Sequence, residues 1–89
     1  MELAGAHVVV TGGSQGIGLE TARLLVAKGA RVSLVARDAT RLTAAATDIA
    51  GGTQWRSADV TDPDALGGAF ATLVDASGPV DLLITSAGV

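Results

Sequence analysis

The 89-residue sequence contains no cysteine and no tyrosine, and it has one histidine, one phenylalanine, one tryptophan and two prolines. Without cysteine there are no disulfides, thiolate metal sites or cysteine nucleophiles, a composition that fits a reducing compartment, with the cytoplasm as the expected location. No apolar run approaches the roughly 20 residues of a membrane span. The opening stretch MELAGAHVVV lacks the basic n-region and cleavage pattern of a signal peptide. Positive charge is also scarce: six Lys and Arg stand against nine Asp and Glu, a net charge of −3. The basic footprint that a nucleic-acid backbone requires is therefore missing. Any anion bound here has to be held by local donors, because the overall field is mildly repulsive.

What remains is apolar and small. Hydrophobic residues make up 48% of the chain, and with so few aromatics Ala, Val and Leu supply the mass, as in buried parallel strands and closely packed helices. The length allows at most one domain with a modest core. Four short apolar runs read as strands: His7 to Val10, Arg31 to Ala36, Thr53 to Val60 and Val80 to Thr85. Helical spacing fills the intervals, from Ile17 to Lys28, from about Asp38 to Ala50 and from Asp62 to about Ala76.

In the first helix Ile17, Ala22, Leu24, Leu25 and Val26 are expected to face inward, leaving Glu20, Arg23 and Lys28 to solvent. Lys28 and Gly29 supply a basic last turn and a left-handed stop. The stretch TDPD predicts Thr61 as N-cap of the third helix with Pro63 in its first turn, and Gly78-Pro79 ends that helix. Asp62, Asp64 and Asp75 are expected to solvate and cap this helix.

Strands alternating with helices predict an α/β class fold, a doubly wound parallel sheet of Rossmann type with helices on both faces. Its familiar strand order is 3-2-1-4, and ligands sit beyond the carboxyl ends of the strands where that order reverses. TGGSQGIG, Thr11 to Gly18, would wall that crevice together with TSAGV, Thr85 to Val89.

TGGSQGIG carries four glycines in eight positions directly after the first strand. A loop that leaves a strand and opens a helix presents free backbone N–H groups and the positive end of the helix dipole, a seat for phosphate that side chains would obstruct. Gly12 would allow the tight exit, Gly16 close approach to a pyrophosphate, and Gly18 close packing of the helix on the sheet. The spacing is GxxxGxG, with no Lys-Ser/Thr after the last glycine, so a nucleoside triphosphatase is disfavoured. A turn and helix start without any ligand is the competing reading.

TGGSQGIG, followed by LVAR at Leu34 to Arg37, ADV at Ala58 to Val60 and DLLITSAGV at Asp81 to Val89, resembles the amino-terminal half of a short-chain dehydrogenase/reductase. The resemblance covers essentially the whole chain. It implies that residues 1–89 are the dinucleotide-binding part of one domain and that the catalytic half lies elsewhere. It implies cofactor contacts from Gly12, Ser14, Gln15, Gly16, Ile17 and Gly18 at the pyrophosphate. Asp59 would accept from the adenine amino group, with the Val60 backbone at the ring edge, although Asp59 alone could equally cap the turn before the third helix. The family's usual Asn-Asn-Ala-Gly is here Thr85-Ser86-Ala87-Gly88, so Ala87 and Gly88 would lie against the cofactor ribose while the asparagine hydrogen bonds are lost.

The end of the second strand bears on the choice between NADP and NAD. Ala36 stands where an NAD-preferring relative would carry its acid, and Arg37 follows, suited by charge and planar donor fork to a 2′-phosphate. NADP is the expected cofactor. Asp38 competes as a ribose acid, and its alternative is the N-cap of the second helix. Gln15 stands where relatives often carry a basic residue; Ser14 and Gln15 would still donate to the phosphate.

The family's hydride transfer uses Ser, Tyr and Lys, and no candidate catalytic set is found in this chain. Lys28, its only lysine, lies at the far end of the first helix, and His7 begins a strand at the opposite end of the sheet. Ser86 has no base partner, Trp55 reads as sheet packing, and no metal site is expected. The parent enzyme would move hydride between NADPH and a small carbonyl or alcohol substrate. Its stretches are similar to those of reductases of 3-ketosphinganine-type long-chain ketones, and generic carbonyl or 3-oxoacyl reduction is equally open because these stretches hold cofactor. The family implies a homo-oligomer formed through later helices. A non-catalytic nucleotide-binding or interaction module that pairs with another chain is the alternative reading.

Overall fold

A computed structural model describes residues 3–12, 16–49, 53–59 and 61–85. Strand and helix alternate through β1 (His7–Thr11), α1 (Gly16–Ala27), β2 (Arg31–Ala36), α2 (Ala39–Ile49), β3 (Gln54–Ser57), α3 (Pro63–Ser77) and β4 (Leu82–Thr85). The strands form one sheet in the order β3-β2-β1-β4, and every pairing is parallel. This is the doubly wound arrangement expected from the alternation of apolar runs.

All five residues of β1 are buried, as a strand covered on both faces requires. Because side chains alternate across a strand, Val8, Val10, Val32 and Leu34 meet Ala22, Leu25, Leu42 and Ala45 of α1 and α2 on one face. On the other, Val9 and Val35 meet Ala58 and the α3 residues Ala69 and Leu73. Each fully buried Val or Leu contributes about 1.5–3 kcal/mol of transfer free energy, so these two clusters hold the helices to the sheet.

α1 differs from the sequence expectation. Gly18, Ala22 and Leu25 face the sheet, while Ile17 is 78% and Leu24 58% exposed. The spacing 18, 22, 25 forms one helical stripe, and Ile17 and Leu24 lie seven residues apart on the neighbouring stripe. In a helix that is apolar nearly all round, the stripe with the smallest side chains turns inward because it lets the helix axis approach the strands.

Helix ends follow from local chemistry. Gly29, at φ 89°, closes α1: its N–H donates to Val26 O at 3.0 Å, and Ala30 N–H donates to Leu25 O at 3.1 Å, a Schellman pair that satisfies two terminal carbonyls. Asp38 caps α2 by accepting from Arg41 N–H at 3.1 Å. Asp62, not Thr61, caps α3, its Oδ1 accepting from Asp64 and Ala65 N–H at 3.1 and 3.3 Å. The Thr61 hydroxyl is directed instead at Asp59 Oδ1, to which it donates at 2.6 Å. Gly78, at φ 86°, ends α3 with its N–H on Val74 O.

Two strands are shorter than the apolar runs suggest. The β2–β3 ladder stops at Ala36↔Ser57, and the chain then turns, Asp62 N–H donating to Asp59 O at 2.9 Å. Before β4, Asp81 N–H donates to His7 O at 2.9 Å, so the turn after α3 is already tied to β1 one residue ahead of the strand.

Candidate functional site

The carboxyl ends of the parallel strands bring together Thr11 with Gly12, Ala36 with Arg37 and Asp38, Ser57 to Asp59, and Thr85. Thr11 pairs with Val35 on one side and Thr85 on the other, so the reversal of strand order falls at the exit of β1. Gly12 takes φ 76° while its N–H donates to Val35 O at 2.7 Å. This sharp exit needs glycine, since a Cβ is disfavoured at that φ.

Gly16 opens α1 at φ 60°, and an added Cβ would meet no atom within 4 Å. Among the described residues nothing stands against this helix N-terminus at Gly16, whose first N–H groups lack intrahelical partners. Backbone donors and helix dipole act together there on any anion. The residues present therefore fit a phosphate group: the space over Gly16 is open and its backbone is exposed. Gly18 is buried against the sheet and Ile17 projects outward.

Arg37, directly after β2, is tied through its backbone, whose carbonyl accepts from Ser57 Oγ at 2.8 Å. Its side chain is largely exposed, and Nη1 lies 3.8 Å from Asp59 Oδ2. Asp59 Oδ1 accepts from Thr61 N–H at 2.9 Å and from its hydroxyl at 2.6 Å. The Thr61 hydroxyl, then the Thr61 N–H, hold the Asp59 carboxyl below its ordinary pKa; partial loss of hydration opposes this, and Arg37 adds a smaller lowering. Asp38 is engaged in capping α2 and faces Arg41 Nε at 3.6 Å.

Ser14, Gln15, Val60, Ala87 and Gly88 lie outside the described residues. Ser86 lies outside them too, and His7 and Lys28 fall at the opposite end of the sheet. His7 is fully buried, with Nε2 2.7 Å from Ser33 Oγ and Nδ1 2.9 Å from Gly78 O. A carbonyl only accepts, so Nδ1 carries a hydrogen and the ring anchors the end of α3. Lys28 follows α1 at the same end. Among the described residues no cluster of three His, Asp or Glu side chains could hold a metal ion, and no helix is long and apolar enough to cross a membrane. Thr61 and Ser57 had no place among the sequence candidates. The signal for them was the alternation Ser57, Asp59, Thr61 at a strand end.

The short chain dehydrogenase family model matches residues 6–89. A 3-dehydrosphinganine reductase of Arabidopsis thaliana is 46% identical over 87 residues, which cover 93% of this chain and 25% of the reductase. Galactitol 2-dehydrogenase (L-tagatose-forming) of Cereibacter sphaeroides is 43% identical over 88 residues, covering 98% and 34%. Among solved structures, actinorhodin polyketide ketoreductase with NADPH superposes at a TM-score of 0.91 with 32% identity, covering 100% of this chain and 35% of that one. The chain spans about a quarter to a third of the length of these relatives. By sequence match and by fold, the chain belongs to the short chain dehydrogenase family.

Proposed function

We propose that residues 1–89 are the dinucleotide-binding part of an oxidoreductase that moves hydride between NADPH and a carbonyl or alcohol substrate. The observation that carries this reading is the helix N-terminus at Gly16, where an added Cβ meets no atom within 4 Å, following the strand at which the order reverses, with a cationic side chain, Arg37, at the end of the neighbouring strand. The ketoreductase that shares this fold was solved with NADPH, which supports the same cofactor here.

Bound NADPH would supply the hydride. The chain's own residues bind and orient it: the loop of Gly12, Ser14, Gln15, Gly16, Ile17 and Gly18 receives the pyrophosphate on backbone donors, and Arg37 receives the 2′-phosphate on its donor fork. Asp59 accepts from the adenine amino group beside the Val60 backbone, and Ala87 and Gly88 let the ribose approach. With no tyrosine in the sequence, the group that protonates or deprotonates the substrate comes from outside residues 1–89. The two curated relatives act on substrates as different as a sphinganine ketone and a sugar alcohol, so the substrate is proposed only as a carbonyl or alcohol.

The test is a direct fluorescence titration of the full chain with NADPH and NADH. NADPH is expected to bind more tightly, and Arg37→Ala should remove most of that preference. Equal or tighter binding of NADH by the unsubstituted protein overturns the reading.

A further inference from the structure

At the ends of β2 and β3 the Asp59 carboxylate divides its oxygens between two partners. Oδ1 takes both hydrogen bonds of Thr61, at 2.9 and 2.6 Å, and Oδ2 faces Arg37 Nη1 at 3.8 Å. Ser57 Oγ meanwhile holds the Arg37 carbonyl at 2.8 Å. The last residue of β3 and the loop after it therefore meet Arg37 at its backbone and its side chain respectively.

The Thr61 N–H bond to Oδ1 closes a local Asx turn, and the hydroxyl bond is additional to it. An exposed ion pair of this length contributes little, and α3 takes its cap from Asp62, so the Thr61 hydroxyl is not needed by the helix. What the Thr61 bonds do is fix the carboxylate plane, and with it the direction in which Oδ2 points. Arg37 is 78% exposed on its side chain, and a free arginine of that kind carries large rotamer entropy that binding must remove. A partner that engages one corner, Nη1, restricts the side chain beforehand and leaves the other guanidinium donors for an incoming anion.

We infer that Thr61 is a positioning residue for cofactor selectivity: by pinning Asp59 Oδ1 it turns Oδ2 toward Arg37 and keeps the guanidinium at the adenosine end, ready for a 2′-phosphate. This rests on the NADP reading above. The Asp59 carboxyl is lowered more by Thr61 than by Arg37, consistent with Thr61 being the stronger constraint on it. The adenine amino group is common to both cofactors, so a role confined to adenine would affect NADPH and NADH equally, whereas a role through Arg37 separates them.

The experiment titrates NADPH and NADH by fluorescence into the full chain carrying Thr61→Val, which keeps shape and charge and removes the hydroxyl, and Thr61→Ser, which restores it. Thr61 is exposed, so both variants should fold, and thermal melts check this. Thr61→Val is expected to weaken NADPH by about five-fold through lost pre-organisation while leaving NADH nearly unchanged, with Thr61→Ser close to the original protein. If the original protein prefers NADPH but Thr61→Val weakens both cofactors equally, or neither, the inference is overturned while the NADP reading stands. If the original protein shows no preference for NADPH, the NADP reading fails and the inference falls with it.

Discussion

Nε2 of His7 lies 2.7 Å from Oγ of Ser33, and both side chains are buried. The other ring nitrogen is on the Gly78 carbonyl, so in the neutral ring Nε2 accepts from the serine hydroxyl. Ser33→Ala would leave a buried acceptor without a partner, which costs about 1–3 kcal/mol. Urea unfolding of the full chain should show a lower midpoint with an unchanged slope. An unchanged midpoint would mean that the hydroxyl does not serve the ring.

The cap of α3 gives a second contrast. Asp62→Ala removes the acceptor for two N–H groups of the first turn and should cost about 1 kcal/mol. Thr61→Ala should cost clearly less, because its hydroxyl serves Asp59. Hydrogen exchange of the first-turn amides in α3 distinguishes the two, and a larger loss for Thr61→Ala would return the cap to Thr61.

Acid titration tests the Thr61–Asp59 bonds directly. A carboxyl whose folded pKa is depressed adds stability that is fully present above the unfolded value and is lost as pH falls through the folded value. For Asp59 that window lies below about pH 4, and the effect is small because the group is exposed. In Thr61→Val the Asp59 carboxyl carbon, followed by NMR, should titrate at a higher pH than in the original protein. An unmoved titration would mean that the hydroxyl bond does not form.

Gly16→Ala separates conformation from contact. No atom blocks the new Cβ, but φ stays at 60°, so the strain should cost about 1–2 kcal/mol. The methyl also enters the space proposed for the pyrophosphate, so NADPH and NADH should weaken in parallel. Full retention of both affinities would remove Gly16 from the cofactor contacts.

The inward stripe of α1 is checked against α3. Leu73 is 1% exposed, and Leu73→Ala should cost about 2–5 kcal/mol. Leu24→Ala, at an exposed position, should cost under about 1 kcal/mol. Comparable losses measured by thermal unfolding would mean that Leu24 packs inward after all.

The alternation of strands and helices and the glycine stops at Gly29 and Gly78 were legible because each follows from short-range chemistry: apolar runs, helical spacing and left-handed φ; the strand order and the two-faced core came from the fold that such alternation builds. The inward face of α1 was not, because periodicity cannot choose a stripe in a helix that is apolar nearly all round; the sheet chose it through the small size of Gly18 and Ala22. The shift of the cap from Thr61 to Asp62 was hidden because two adjacent good caps stand in TDPD, and Asp59 decides between them by engaging Thr61. Among site candidates, Gly12, Gly16, Arg37 and Asp59 do gather at the carboxyl ends of the strands. The partners of His7 could not be read at all, since Ser33 and Gly78 lie 26 and 71 residues away in sequence.

β1 is central to the sheet, yet its two neighbours are acquired at different distances along the chain: Val8 pairs with Val32, 24 residues on, and with Leu82, 74 residues on. By the logarithmic law for loop closure, the longer closure costs about 1 kcal/mol more. The β1–α1–β2 unit is therefore favoured to assemble before β4 docks, and along the chain both of its strands precede β4. Substitutions in that unit should slow refolding, whereas those in β4 should chiefly hasten unfolding.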